Sequence, residues 1–288
     1  MTAAAVALVL LSALLHAVWT FFGKGASEDR WAFFFAQGVA ATVLWAPVSL
    51  WRWWVAGSVG PGGWLWVSAS VVMHAGYAVY LLKSFDAGDL SVAYPLSRTA
   101  PMLVAVWDML TARAELTVAG FVGAVSTGLG ALVLQFPALR ARGGRAVLGD
   151  NVTRYALVTA VFIAAFTIID KQGVQCVDPL LYLYILTAGE FSVIGLRLGV
   201  GAFPRIVNEF RTHARSVLFA CLLGPFGYLL ILRVLETAPA SYVLGMRQTS
   251  IVFGVLLGRF LLGEGETRYR LAGAAVIAAG SMLIAAAG

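Results

Sequence analysis

Charge is scarce in this chain: 12% of its 288 residues are Asp, Glu, Lys or Arg, while 60% are apolar. Soluble globular domains carry about a quarter charged residues, so an ordinary water-soluble fold is excluded. Long polar stretches are missing too. The two most polar segments, near Pro137–Arg154 and Gly201–Arg215, are too short to fold as soluble domains. Cysteine is nearly absent. Cys176 and Cys221 stand at no motif spacing, which excludes a disulfide framework and leaves two free buried thiols as the expectation. With three histidines, and no Cys or Glu at ligand spacing from them, no metal site and no cofactor are expected. A phosphate-cradling Gly-rich loop is lacking, which argues against direct ATP drive. No Lys or Arg precedes Lys24 and no small-residue cleavage site precedes a mature domain, so Met1–Phe22 reads as a first membrane span and not as a removable signal.

What remains is one hydrophobic run after another. A bilayer core of roughly 30 Å takes about 20 apolar residues per helix. Ten such segments are expected near 2–22, 31–50, 64–83, 91–110, 118–136, 155–171, 179–198, 216–234, 240–258 and 271–287. The fold class is an all-α membrane protein, because lipid offers backbone groups no partner outside a helix or a closed barrel. These continuous runs do not alternate as barrel strands do. The net charge of +6 sits in the connections between spans, which suits anionic lipid headgroups better than nucleic acid. Alternate connections hold fourteen basic residues on one side against four on the other. Under the positive-inside rule this puts both termini outside a bacterial-type inner (plasma) membrane.

The chain repeats itself. Thr20–Lys24 matches Thr167–Lys171, Gly76-Tyr77 matches Gly227-Tyr228, Arg98 matches Arg247, Glu115 matches Glu264, and Gly123 and Gly130 match Gly273 and Gly280, at offsets from 147 to 151. The halves are then 1–136 and 155–288, joined by a loop over 137–154. Five spans per half is an odd number, so the second half would enter the membrane inverted. Inverted repeats allow one packing arrangement two near-equivalent versions, open to opposite sides, and this pattern implies transport.

The whole chain resembles the drug/metabolite transporter superfamily, and within it the EamA-type ten-helix permeases. The resemblance rests on Leu15-His16-Ala17-Val18-Trp19 before Lys24, on Tyr94-Pro95-Leu96-Ser97-Arg98 before Pro101, on Thr167–Lys171, and on Arg247-Gln248-Thr249-Ser250 before Gly263-Glu264. It departs from the common Gly-Glu-Arg ending at Arg113-Ala114-Glu115 and Gly263-Glu264-Gly265. It implies a secondary transporter of a small metabolite. Relatives that move lipid-linked sugars keep a flippase open as an alternative. A membrane sensor or assembly subunit stays open as another, and a membrane-embedded enzyme finds no nucleophile, metal cluster or carboxylate pair to support it.

A charge at the bilayer centre costs about 2.5–3.5 kcal/mol on insertion scales, so each one asks for a partner or a role. Arg98 and Arg247 fall inside spans four and nine, with Tyr94 one turn before Arg98. Either they clamp a carboxylate or phosphoryl group, which suits the guanidinium fork, or they pair internally with Glu190 or Asp170. Glu190, near the middle of span seven, and Asp170, at the end of span six, are candidates for proton coupling. Alternatively Glu190 is an arginine's structural partner and Asp170, with Lys24 and Lys171, gates or anchors helix ends. Ser12, His16, Trp19 and Thr20 form one polar stripe of span one, and Ser70, His74 and Tyr77 another on span three. These stripes would line a cavity with Tyr228, the repeat mate of Tyr77, although a lone membrane histidine also serves packing. Asp108 is expected at the interface. The glycines of spans five and ten read as close helix packing, within one chain or across a homodimer. The cargo expected is a small anionic or zwitterionic solute such as an amino acid or an organic phosphate or phosphonate, taken by spans one, three, four, six, eight and nine.

Overall fold

Apolar segments in lipid must close their backbone hydrogen bonds on themselves. A computed structural model describes residues 1–23, 27–56, 59–87, 96–111, 116–134, 136–141, 150–262 and 268–287. Among them every regular element is helical. The first half forms α1 (Ala3–Gly23), α2 (Arg30–Ala56), α3 (Gly63–Ala87), α4 (Ala100–Thr111), α5 (Val118–Leu134) and a short α6 (Phe136–Ala141). The second half forms α7 (Asn151–Gly173), α8 (Pro179–Leu198), α9 (Phe203–Thr212), α10 (Ala214–Leu235), α11 (Ala240–Arg247), α12 (Thr249–Leu262) and α13 (Arg268–Ala287). Among the described residues eight spans are long and apolar enough to cross a membrane, with residues 240–258 of α11 and α12 counting as one; α4 and α5 are shorter apolar helices. The expected fourth span starts at 91, and residues 91–95 lie outside the described residues.

Two elements differ from expectation. α2 runs to 27 residues, past the apolar run and into Trp51, Trp53 and Trp54, whose rings are exposed where an interface would lie. α9 occupies the polar stretch expected as loop. Pro204 sits in its first turn, where the missing N–H costs nothing, and Glu209 turns inward to take Ser27 Oγ at 2.7 Å and His213 Nδ1 at 2.8 Å.

Spans four and nine are both interrupted at their arginine. α11 ends at Arg247 and α12 resumes at Thr249, while a turn at Arg98-Thr99 precedes α4. Gln248 links the two breaks, its Nε2 donating to the Arg98 carbonyl at 3.2 Å. Asp108 is buried, not interfacial. Its carboxylate accepts the Ser241 N–H at 3.0 Å and so completes the first turn of α11 from another helix.

α3 packs along α7, α1 along α10, and α2 along α8. The closest seam is α5 on α13. A Cβ on Gly123 would stand 2.7 Å from the Gly280 carbonyl, and one on Gly280 2.7 Å from the Gly123 carbonyl. Gly130 and Gly273 repeat the exchange at 2.9 and 2.6 Å. Here the small residues serve packing within one chain.

Pro225 interrupts α10 without leaving a polar group stranded. It has no N–H to offer the Cys221 carbonyl one turn back, and Trp45 Nε1 of α2 donates to that oxygen instead at 3.1 Å.

Candidate functional site

A cavity opens between the middles of α1, α2, α3, α7, α8 and α10 and the end of α11. It encloses about 870 Å³ of empty space, the part open to solvent included. Its walls are largely aromatic. Trp19 lies against His16 with ring centroids 5.3 Å apart, Phe34 against Phe191 at 5.1 Å, His74 stacks on Phe166 at 3.9 Å, and Tyr77 meets Phe166 edge-on at 5.6 Å.

The structure brings together most of the residues singled out in the sequence. His16, Trp19, His74, Tyr77, Tyr228, Arg247 and Glu190 all line this space. The Arg247 guanidinium carbon stands 5.3 Å from the Tyr228 ring centroid, a cation–π contact. Arg98 reaches the wall through His16, its Nη2 lying 2.9 Å from His16 Nε2. An arginine has no acceptor, so Nε2 accepts and the imidazole carries its proton on Nδ1. Ser12 is buried away from the cavity, donating to the Gly227 carbonyl at 2.7 Å, and Thr20 bonds its own helix. Tyr94 and Lys24 lie outside the described residues.

Asp170 is fully buried, in the last turn of α7. Ser70, Tyr182 and Tyr228 each donate a hydroxyl to its carboxylate, Tyr182 at 2.7 Å. The single Ser70 hydroxyl proton is committed there. The His74 Nδ1 that lies 3.1 Å from both Ser70 Oγ and the Ser70 carbonyl is therefore the donor, and Nε2 faces Asp170 Oδ2 at 3.9 Å. Tyr228 thus touches the Arg247 cation with its ring and the Asp170 carboxylate with its hydroxyl. The neighbouring Lys171 is tied down, donating to the Leu235 carbonyl at 2.7 Å.

The lining differs from expectation in three helices. α2 supplies Phe34, Gln37 and Gly38, and α8 supplies Thr187, Glu190 and Phe191, whereas no residue of α4 lines the cavity among the described residues. Glu190 was legible as an isolated carboxyl in an apolar run, but Gln37 was not singled out. Glu190 is 9% exposed and Gln37 7%. Gln37 Oε1 has no hydrogen-bond partner. A Cβ on Gly38 would fall 2.1 Å from the Phe191 ring, so α2 and α8 meet closely beside the chain neighbours Gln37 and Glu190.

Ion pairs between the halves stand at both ends of α2 and α8. At one end Arg205 grips Asp29 with two bonds, Nε to Oδ2 at 2.6 Å and Nη2 to Oδ1 at 2.8 Å. The Arg205 hydrogen bonds lead in holding the Asp29 carboxyl below its usual range, helped by the Ala32 N–H and the Arg205 charge against the opposing effect of burial. At the other end Arg52 bonds Asp178 Oδ2 at 3.1 and 2.9 Å, and Arg233 approaches the same oxygen at 3.4 Å. Burial pushes Asp178 up most strongly. The bonds from Arg52 and the Leu180 N–H, with the charges of Arg233 and Arg52, outweigh it and leave the carboxyl below its ordinary value.

Residues 154–286 match the EamA-like transporter family. A crystal structure of another protein, 13% identical, aligns over 98% of this chain and 96% of its own with a TM-score of 0.73. At that identity the likeness shows a shared fold. No curated protein matches the chain.

Proposed function

We propose that this multi-pass membrane protein, whose second half is an EamA-like transporter domain, is a secondary transporter carrying a small anionic or zwitterionic organic solute by alternating access. The observation that carries the reading is the cavity itself: a guanidinium and a set of aromatic faces converge midway along apolar helices. A charge held there at a cost of several kcal/mol has a purpose if it meets an oppositely charged group on a solute. Arg98 supports Arg247 in this reading by fixing His16 in the cavity wall.

Inverted five-helix halves are supported by reciprocal contacts. Under the repeat, Gly123 corresponds to Gly273 and Gly130 to Gly280. The contacts Gly123–Gly280 and Gly130–Gly273 then map onto each other, as a two-fold axis through α5 and α13 requires. α3 on α7 maps onto α10 on α1 in the same way. Both broken helices carry their arginine at the break, where interrupted spans expose backbone groups to a solute.

The test is a melting-temperature screen of the detergent-purified protein against amino acids, organic phosphates, phosphonates and lipophilic cations, run beside Arg98→Ala and Arg247→Ala. A ligand at 100 times its dissociation constant adds about 2.7 kcal/mol to folding. Anionic or zwitterionic solutes should stabilise the wild type and not the Arg247 variant, and should then be taken up by proteoliposomes. Stabilisation by cations or lipids alone, or equal responses in the variants, would remove the anion-binding role.

A further inference from the structure

Of all the polar groups facing the cavity, two acceptors stand out as unanswered. Among the described residues Glu190 has no hydrogen bond and no ion pair, and Gln37 Oε1 has no partner. A buried acceptor without a donor, such as Gln37 Oε1, is rare in native proteins because it forfeits its hydration without return, and a carboxylate on a cavity wall with no protein partner is left for whatever fills the space. Asp170 shows the contrast: it is met by three hydroxyls. Both residues line the same cavity, from α2 and α8, and their chain neighbours Gly38 and Phe191 touch. Thr187 lies one turn before Glu190 on the same wall, and the Phe34 and Phe191 rings flank them.

We infer that Gln37 and Glu190 form a receptor for a primary ammonium group on the transported solute, which is therefore dipolar. A proton on Glu190 would answer one carboxyl oxygen and supply a single O–H. An ammonium brings three N–H donors, enough for the carboxylate, for Gln37 Oε1 and for the Thr187 hydroxyl, and its charge is drawn to the aromatic faces. The charges of the wall agree. Among the described lining residues Arg247 and Glu190 are the formal ones, one of each sign, on different helices. A solute with an ammonium at one end, a carboxylate, phosphate or phosphonate at the other, and an apolar body against the aromatic walls cancels both. This inference rests on the transport reading for the acidic end and adds the basic end.

The test uses the full-length protein in detergent and isothermal titration with three matched sets. Leucine is compared with 4-methylpentanoate and 3-methylbutylamine, phenylalanine with 3-phenylpropionate and 2-phenylethylamine, and 2-aminoethylphosphonate with ethylphosphonate and ethylamine. At least one dipolar probe should bind, and the partner lacking the ammonium should bind at least ~30-fold more weakly, the scale expected when a buried charge loses its partner. Glu190→Gln should erase that preference. Gln37→Leu, which keeps the charge, should reduce the preference by about ten-fold, the effect of one lost hydrogen bond to a charged group. Melting of each unliganded variant establishes that it is folded. The inference falls if no dipolar probe binds, if the analogue lacking the ammonium binds as tightly, or if Glu190→Gln keeps the preference and alters only the pH dependence, as a proton site would. The two readings remain distinguishable. Anions that bind through Arg247 without regard to an ammonium sink this inference alone, whereas amines that bind through Glu190 with no response to Arg247→Ala sink the anion clamp and with it the dipolar solute.

Discussion

Asp29 and Asp178 occupy the same place in the two halves: each caps the start of a long helix, α2 or α8, and each is gripped by an arginine from the other half, Arg205 or Arg52. The two aspartates are separated by the same number of residues as Arg98 and Arg247. Both ion pairs cross between the halves at opposite ends of the α2–α8 pair, so each face has its own electrostatic tie.

The ties should be sensitive to acid. Both carboxyls are held below their usual range in the folded protein. A depressed carboxyl adds stability that is fully present above the unfolded value near pH 4 and is lost as pH falls through the lower folded value. Asp29 is partly exposed, so its tie is worth at most about 1 kcal/mol. Asp29→Asn should lower the melting temperature by roughly 1–4 °C at pH 7 and by progressively less below pH 4. A gap that persists into acid would mean that the charge is not what counts, since asparagine can still cap the helix.

Two buried carboxyls should respond in opposite ways to neutralisation. Asp170→Asn puts an amide where three hydroxyls donate, and a cost of roughly 3 kcal/mol or more is expected. Glu190→Gln removes a carboxyl that no protein group answers, so the unliganded protein should melt unchanged or slightly higher. Thermal melts of both variants side by side decide this, and equal losses would contradict the hydrogen-bond pattern.

Trp45 and Pro225 should be thermodynamically coupled. Trp45→Phe strands the Cys221 carbonyl and should cost about 1–3 kcal/mol. Pro225→Ala restores an N–H one turn below that carbonyl, and in its presence Trp45→Phe should cost much less. A double-mutant cycle measures the difference, and simple additivity would show that the indole bond is unimportant.

The glycine seam predicts matched penalties. Gly123→Ala and Gly280→Ala each drive a methyl to 2.7 Å from the opposite carbonyl, so both should destabilise by about 1–3 kcal/mol. Gly201, with open space around its Cβ position, should accept alanine without loss. Melting of the three variants is sufficient.

The helical architecture was largely legible because a long apolar run has one backbone solution in lipid. Arg98 and Arg247 were legible as charges where charge is expensive, and His16, Trp19, His74 and Tyr77 as stripes at helical spacing. What escaped reading was partnership. Asp170 looked like a helix-end residue, since nothing along the chain says that Ser70, Tyr182 and Tyr228 converge on it from three other helices. Asp108 looked interfacial for the same reason, its partner being a backbone N–H of α11. Gln37 escaped because a single uncharged polar residue in a span carries little signal until a cavity is seen in front of it. α9 escaped because its polar composition gives no hydrophobic run to count.

The backbone-to-backbone contact of α5 and α13 has a practical consequence for observing motion. Neither helix can slide or tilt against the other without driving a glycine into a carbonyl, so the pair is a fixed frame of reference within the molecule. Met282, exposed on α13, is a suitable place for a spectroscopic label. Distances from it to labels on α2 and α8 would report displacement of the cavity walls directly, free of ambiguity about which end had moved.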